Sequence, residues 1–311
     1  MLTKRICAGL SVGAFFAFLL ALSNGPLLVL VLILLTAASQ REFYGLASRS
    51  GYRVYKTFGT LCGVIWLACE YLFQAPFAAA EARVSAYPLW SPILLAGVFF
   101  AILLRTLFDR GVEKAFESVA VTFLGFLYLP LTISYYIRLA QWDGILRLGT
   151  TRASVFLAFF LSVVIKMSDT GAFAVGTSFA RTVGTHPMFP RISPKKSWEG
   201  LAGGIATGCL TGALLAFLAH RFEWGPDGVF WASPGGRTVL TFTRSLVVSA
   251  VLVVVGVFGD LIESMLKRAS DIKDSARVLP GVGGLLDIVD SLVFGPVTFY
   301  FAIQLCAALR G

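Results

Sequence analysis

The sequence predicts an all-α, polytopic integral membrane protein with about nine transmembrane helices. Three observations carry that reading. Hydrophobic residues fill 57% of the 311 positions, and mean hydropathy is +0.80. Charged residues reach only 14%, against about 25% in soluble domains, too few to coat a globule of this length. The charge present is also unevenly placed. Ten of the 43 charged residues fall in the 33 positions Phe258–Asp290, while Val247–Val257 and Ser291–Leu309 on either side carry none. Ionisable residues crowded between hydrophobic runs require water, a partner or chemistry.

The first charges, Lys4 and Arg5, precede an apolar run, Ile6–Leu22. Taken alone it would also suit a secretory signal peptide. A second run, Pro26–Ala38, follows after a Ser-Asn-Gly break, so a two-helix hairpin is expected. Further spans are predicted at Phe58–Phe73, Leu89–Leu104, Val119–Ile137, Val155–Met167, Leu201–Leu218, Leu246–Phe258 and Ser291–Leu309. Glu70 lies inside one of them and must face protein or water, where a structural hydrogen bond accounts for it. The loop Gln40–Thr57 holds Arg41, Arg49, Arg53 and Lys56 against Glu42 alone. The positive-inside rule places it in the cytoplasm, with Arg105–Ser118, Ser168–Gly200 and Gly259–Asp290 on the same side. Arg138, Arg147 and Arg152 fall outside, against the trend. No repeat or low-complexity tract interrupts the chain. Residues 1–150 are expected to form N-terminal transmembrane helices, and 151–311 a catalytic transmembrane region carrying the two most polar loops.

The net charge of +9 and pI near 9.5 suit cytoplasmic loops beside anionic lipid head groups. Basic residues dispersed among loops argue against nucleic acid as a partner. The five cysteines lie scattered in apolar runs with no paired spacing, as small apolar filler would. His186 and His220 are isolated from any partner at ligand spacing.

Two segments carry chemistry. On a helix, Asp260, Glu263, Ser264 and Lys267 share one face at i, i+3, i+4 and i+7. Two carboxylates, a hydroxyl and an ammonium there suit a divalent cation and a phosphate, although a solvated amphipathic turn has the same spacing. Carboxylate oxygens are what Mg²⁺ prefers, with substrate phosphates and water completing its shell. Leu279-Pro280-Gly281-Val282-Gly283-Gly284 follows, a turn whose exposed N–H groups could cradle phosphate oxygens. Asp287 and Asp290 come next, again i, i+3, where they could cap a helix or join the first carboxylates around a metal. In the other loop, Ser193-Pro194-Lys195-Lys196-Ser197-Trp198-Glu199-Gly200 sets two lysines and flanking hydroxyls before a span. They suit phosphate oxygens, or ordinary positive-inside topology. Ser197 can N-cap the next helix, and Gly200, Gly203 and Gly204 permit close helix packing.

Together these segments resemble the phosphatidate cytidylyltransferase (CDP-diacylglycerol synthase) family. Its signature runs roughly S-x-x-K-R-x4-K-D, P-x-H-G-G and D-R-x-D. This chain offers Ser264-Met265-Leu266-Lys267-Arg268, Lys273-Asp274, Pro280-Gly281-Val282-Gly283-Gly284 and Asp287-Ile288-Val289-Asp290. Asp169-Thr170-Gly171-Ala172-Phe173 resembles the family's D-T-x-A-Y, and Ser193–Gly200 its S-P-K-K-T-x-E-G. The likeness covers roughly residues 160–300, and Glu42-Phe43 resembles an acidic-aromatic pair near the family's first spans. Val282 replaces a histidine of the signature and Ile288 an arginine. The first cannot donate a hydrogen bond and the second cannot pair with phosphate.

The resemblance implies that CTP and phosphatidic acid are joined into CDP-diacylglycerol, with release of pyrophosphate. It implies Asp260, Asp287 and Asp290 as ligands of Mg²⁺, with a second metal ion left open. Glu263 is then expected in or just behind that shell. Lys195, Lys196, Lys267 and Arg268 would bind phosphates, Ser193, Ser197 and Ser264 would orient them, and Gly283 and Gly284 would approach them through backbone. The expected setting is a bacterial inner membrane, with membrane lipids as partners, the site facing the cytoplasm, and a homodimer left open. A CTP-dependent lipid alcohol kinase, yielding CDP, and a non-catalytic paralogue of the same fold stand as alternatives. A transporter would be expected to show repeat symmetry or interrupted spans.

Overall fold

A computed structural model describes residues 25–74, 83–109, 113–140, 151–224, 229–230, 238–272 and 284–309. The helices are α1 (Gly25–Arg49), α2 (Lys56–Gln74), α3 (Arg83–Leu107), α4 (Ala115–Phe126), α5 (Thr132–Ala140), α6 (Thr151–Thr182), α7 (Trp198–Phe222), α8 (Phe242–Ala269), α9 (Leu286–Val289) and α10 (Gly295–Ala308). Strands β1 (Pro187–Phe189) and β2 (Ser193–Ser197) form an antiparallel hairpin between α6 and α7. Long helices follow from the composition, because a backbone in hydrocarbon must satisfy its own N–H and C=O groups. That is why even the β-branched run of α8 is helical.

Among the described residues seven helical segments are long and apolar enough to cross a membrane. They correspond to seven of the nine expected spans. Of the other two, Ile6–Leu22 lies outside the described residues. Phe58–Phe73 forms α2, whose Lys56 and Glu70 lower its hydropathy and which is not among the seven.

The helices run further than the apolar stretches that announced them. α1 continues through the expected Gln40–Thr57 loop as far as Arg49. Gln40 is fully buried, its side-chain amide donating to the Tyr44 hydroxyl at 2.9 Å and to the Gly59 carbonyl at 3.1 Å. α6 likewise takes in Ser168–Thr182, expected as loop. Its polar residues stay helical because their hydroxyls bond back to the preceding turn, Ser168 to the Ile165 carbonyl and Thr170 to that of Lys166. Between α4 and α5 a π-turn, Leu127–Leu131, surrounds Pro130. Proline has no N–H for the ladder, and the Thr132 hydroxyl donates to the carbonyls of Tyr128 and Leu129 there.

The chain divides into two compact units. One holds Pro26–Arg138 and Met265–Val289. Its core includes Tyr44, which donates to the Thr122 carbonyl at 2.7 Å, and Trp66, set edge-on to Phe126. Glu70 is fully buried there and ion-paired with Arg138, which also donates to Ser91 at 2.9 Å. In the same unit the Ser270 hydroxyl donates to the Leu46 carbonyl at 3.1 Å and meets that of Ser50 at 2.9 Å.

The other unit holds Leu139–Ser264 and the chain from Asp290 onward. α6 packs along α7 through small residues: a Cβ on Gly204 would lie only 3.2 Å from the Ala172 side chain and from the Ser168 carbonyl. Phe160 stacks on Phe299, tying α6 to α10. The last residues of α8 belong to the unit with Pro26–Arg138, where Asp271 adopts a left-handed φ of 54° and the Ile272 N–H turns back to the Lys267 carbonyl.

Candidate active site

The site begins in the unit containing Leu139–Ser264. Asp260 and Glu263, one turn apart on α8, are joined by Asp290, which opens a short 3-10 turn over Asp290–Leu292. One ligand oxygen from each lies within 4.8 Å of the others. Glu263 is fully buried, Asp290 nearly so, and Asp260 half-buried. The close approach depends on Gly259, since a Cβ there would come 2.5 Å from the Asp290 carbonyl oxygen. The Asp290 carboxylate also accepts from the Ser291 N–H.

The hairpin brings the first cation. His186 holds the Glu199 carboxylate through both its backbone N–H and its ring Nδ1, and the Trp198 N–H donates to the His186 carbonyl. That clasp ties the start of β1 to the first turn of α7. Lys196 extends from β2 to Asp260, 2.8 Å from its Oδ2, and donates to the Val257 carbonyl at 3.1 Å. Lys195 is exposed and Ser193 half-buried. Ser197 is buried, and its hydroxyl accepts the Gly200 N–H at 3.1 Å as the N-cap of α7. Ser264 donates to Asp260 at 3.3 Å.

A second cation, Lys166, comes from α6. It donates to the Ser291 hydroxyl at 2.9 Å and lies 3.8 Å from Asp169, one turn further along the same helix. At roughly 1.5 Å per residue, Lys166 stands about 15 Å from Phe156, where the span begins. An unpartnered ammonium at such depth in lipid costs about 2.5–3.5 kcal/mol. Sequence reasoning missed it. The available signal was a lone lysine in α6 following thirteen uncharged residues, Ala153–Ile165.

Other expected site residues lie in the unit of Pro26–Arg138 and Met265–Val289. Lys267 Nζ stands 2.7 Å from Asp287 Oδ1, and Asp287 Oδ2 accepts the Gly284 N–H. Arg268 is exposed in the last turn of α8. Gly283, with Val282 and Lys273-Asp274, lies outside the described residues. Glu42 was expected only as part of a family-like pair. Its carboxylate accepts the Leu285 and Leu286 N–H groups at 3.0 and 2.9 Å, satisfying donors at the start of α9. Nothing in local sequence announces a contact across 243 positions.

The donor set fits Mg²⁺: three clustered carboxylates, all hard oxygen ligands, two of them shielded from solvent. Beside two ammoniums, such carboxylates can hold a cation that in turn holds phosphate.

Fold and site together define an integral membrane protein with a carboxylate and lysine centre set among its spans. The Cytidylyltransferase family model matches residues 3–306, and the chain belongs to that family of nucleotidyltransferases. It is 27% identical to a phosphatidate cytidylyltransferase of Bacillus subtilis over 307 residues, 97% of each chain. The Haemophilus influenzae phosphatidate cytidylyltransferase is 36% identical over 148 residues, 47% of this chain and 46% of its own. The chloroplastic phosphatidate cytidylyltransferase 4 of Arabidopsis thaliana is 33% identical over 236 residues, 70% of this chain and 54% of its own. The chain thus spans nearly all of the first relative and about half the length of the other two.

Proposed function

We propose that this protein is a phosphatidate cytidylyltransferase, which converts CTP and phosphatidic acid into CDP-diacylglycerol and pyrophosphate in phospholipid synthesis. The observation that carries the reading is the family match along almost the whole chain. The clustered acids of Asp260, Glu263 and Asp290 give it a chemical centre.

A phosphate oxygen of the lipid attacks the α-phosphorus of CTP in line. The bond from that phosphorus to the bridging oxygen of the β-phosphate breaks, and the electron pair leaves on pyrophosphate. Both reactants are anions, so most of the work is offsetting repulsion and fixing geometry. A phosphate monoester is nucleophilic at neutral pH, which suits a centre built of carboxylates and lysines. Asp260, Glu263 and Asp290 would hold Mg²⁺, which when bound offsets charge on the phosphates. Lys196 is anchored through Val257 and Asp260, so its ammonium is held in place before a phosphate arrives. The hairpin clasp keeps that lysine in register. Burial of Glu263 and Asp290 limits competing water.

The basic last turns of α1 and α8, with Arg49, Lys267 and Arg268, support a cytoplasmic orientation for those ends. A bacterial inner membrane is the corresponding location.

The test is turnover of labelled CTP with phosphatidic acid and Mg²⁺ in detergent micelles, comparing wild type with Asp260→Asn. CDP-diacylglycerol and pyrophosphate from wild type, lost in the variant, are the expected result. CDP with a phosphorylated lipid would mean γ-phosphoryl transfer instead. No product from a folded, CTP-binding wild type would overturn the reading.

A further inference from the structure

We propose that Lys166 is a second phosphate-binding residue of this site, holding a substrate phosphate oxygen from the α6 side as Lys196 does from the hairpin side. The inference rests on the proposed function only in taking the substrates to be phosphates.

Lys166 is the sole charged residue of α6 between Arg152 and Asp169. Its ammonium reaches the Ser291 hydroxyl at 2.9 Å, and Ser291 directly follows the cluster residue Asp290. Together with Asp260 and Asp169, Lys166 is among the charges that act on Asp290. Its approach to Asp169 is 3.8 Å, against 2.8 Å between Lys196 and Asp260. The Ser291 hydrogen bond therefore holds the Lys166 ammonium beside the carboxylate cluster.

Charge balance points the same way. Asp169, Asp260, Glu263 and Asp290 contribute four formal negative charges, and Lys166 and Lys196 two positive ones. One divalent cation would bring the group to neutrality. Incoming phosphates would then meet two ammoniums supplied from separate elements. The displacement has two phosphate groups to steady, the attacking monoester and the departing pyrophosphate, and one lysine can serve only one end well. Phosphate is the shared chemistry of both substrates, and experiment decides which one Lys166 takes.

The test uses full-length protein in detergent, with Lys166→Gln, Lys166→Arg and Ser291→Ala. KM is measured separately for CTP and phosphatidic acid. Thermal shifts are measured with Mg²⁺ plus pyrophosphate, and with Mg²⁺ plus a short-chain phosphatidate. Loss of a charged hydrogen bond predicts a rise of about tenfold or more in one KM for Lys166→Gln. The matching thermal shift should be lost. Lys166→Arg should restore both, and Ser291→Ala should move them less in the same direction. A rise in the CTP KM with loss of the pyrophosphate shift assigns the nucleotide; the opposite pair assigns the lipid. Folded Lys166→Gln with both KM values and both shifts unchanged overturns the proposal. If that variant does not fold, unchanged KM values and shifts in Ser291→Ala overturn it equally. If wild type shows the shifts without cytidylyl transfer, the reaction assignment fails while Lys166 is still read. No shift and no turnover with either phosphate would overturn both.

Discussion

Asp287 and Asp290 are three residues apart and chemically identical, yet the structure surrounds them differently. Asp290 opens a 3-10 turn and converges with Asp260 and Glu263, three acids brought within one ion's reach. Asp287 sits in the four-residue α9, where Lys267 takes one carboxylate oxygen and the Gly284 N–H the other. The first arrangement gathers like charge that Lys196 and the Ser291 N–H offset only in part and that a bound cation would offset further. The second matches each oxygen with an internal donor. The contrast teaches that equal spacing does not give two carboxylates equal surroundings; the partners imposed by the fold differ.

The sharpest way to break the comparison is to neutralise each acid. Asp290→Asn should lower turnover on the order of a hundredfold or more, since even outer-shell changes at metal sites cost about 10–100-fold. Its apparent affinity for Mg²⁺ should fall with it, as measured by titrating the metal in the micelle assay. Full activity at ordinary Mg²⁺ would remove Asp290 from the centre. A smaller effect is expected from Gly259→Ala. The new methyl group would press on the Asp290 carbonyl and move the turn that presents its carboxylate. A loss of about tenfold in kcat is expected from a misplacement of under 1 Å, with KM for phosphatidic acid little changed. Unaltered kcat would show that the backbone approach does not set the site.

Part of this was legible in the sequence. Apolar runs announced the helices, several of them shorter than the helices they became, and helical periodicity placed Asp260 and Glu263 on one face. The extent of the helices was not legible. Gln40 and Ser168 read as loop residues because a hydropathy window cannot see that Gly59 accepts from one and that the other bonds back to Ile165. Asp290 was expected with the first acids, but neither the change from α9 to a 3-10 turn at Asp290 nor the close approach of its carbonyl to Gly259 is written in the spacing of the acids. Lys166 stayed hidden because a single lysine in an apolar run has no motif to belong to. Glu42 stayed hidden because its partners lie at the other end of the chain.

The smallest effect sharpens the comparison most, because it separates a brace from a ligand. Asp287→Asn keeps an acceptor for the Gly284 N–H and removes the charge that faces Lys267. The pair is largely buried, with side-chain exposures of 14% and 10%, so the ammonium left behind loses its counter-charge where water is scarce. Stability in detergent should fall by about 1–3 kcal/mol, read as a lower unfolding midpoint. Activity below that midpoint should drop only a few-fold, with the Mg²⁺ requirement unchanged. Lys267→Met should destabilise comparably, and the double variant should cost less than the sum of the two, the mark of a coupled pair. The opposite pattern, a stable Asp287→Asn protein that has lost its Mg²⁺ response, would make Asp287 a ligand after all. Asp287 and Asp290 would then act as one motif, as their spacing alone suggests.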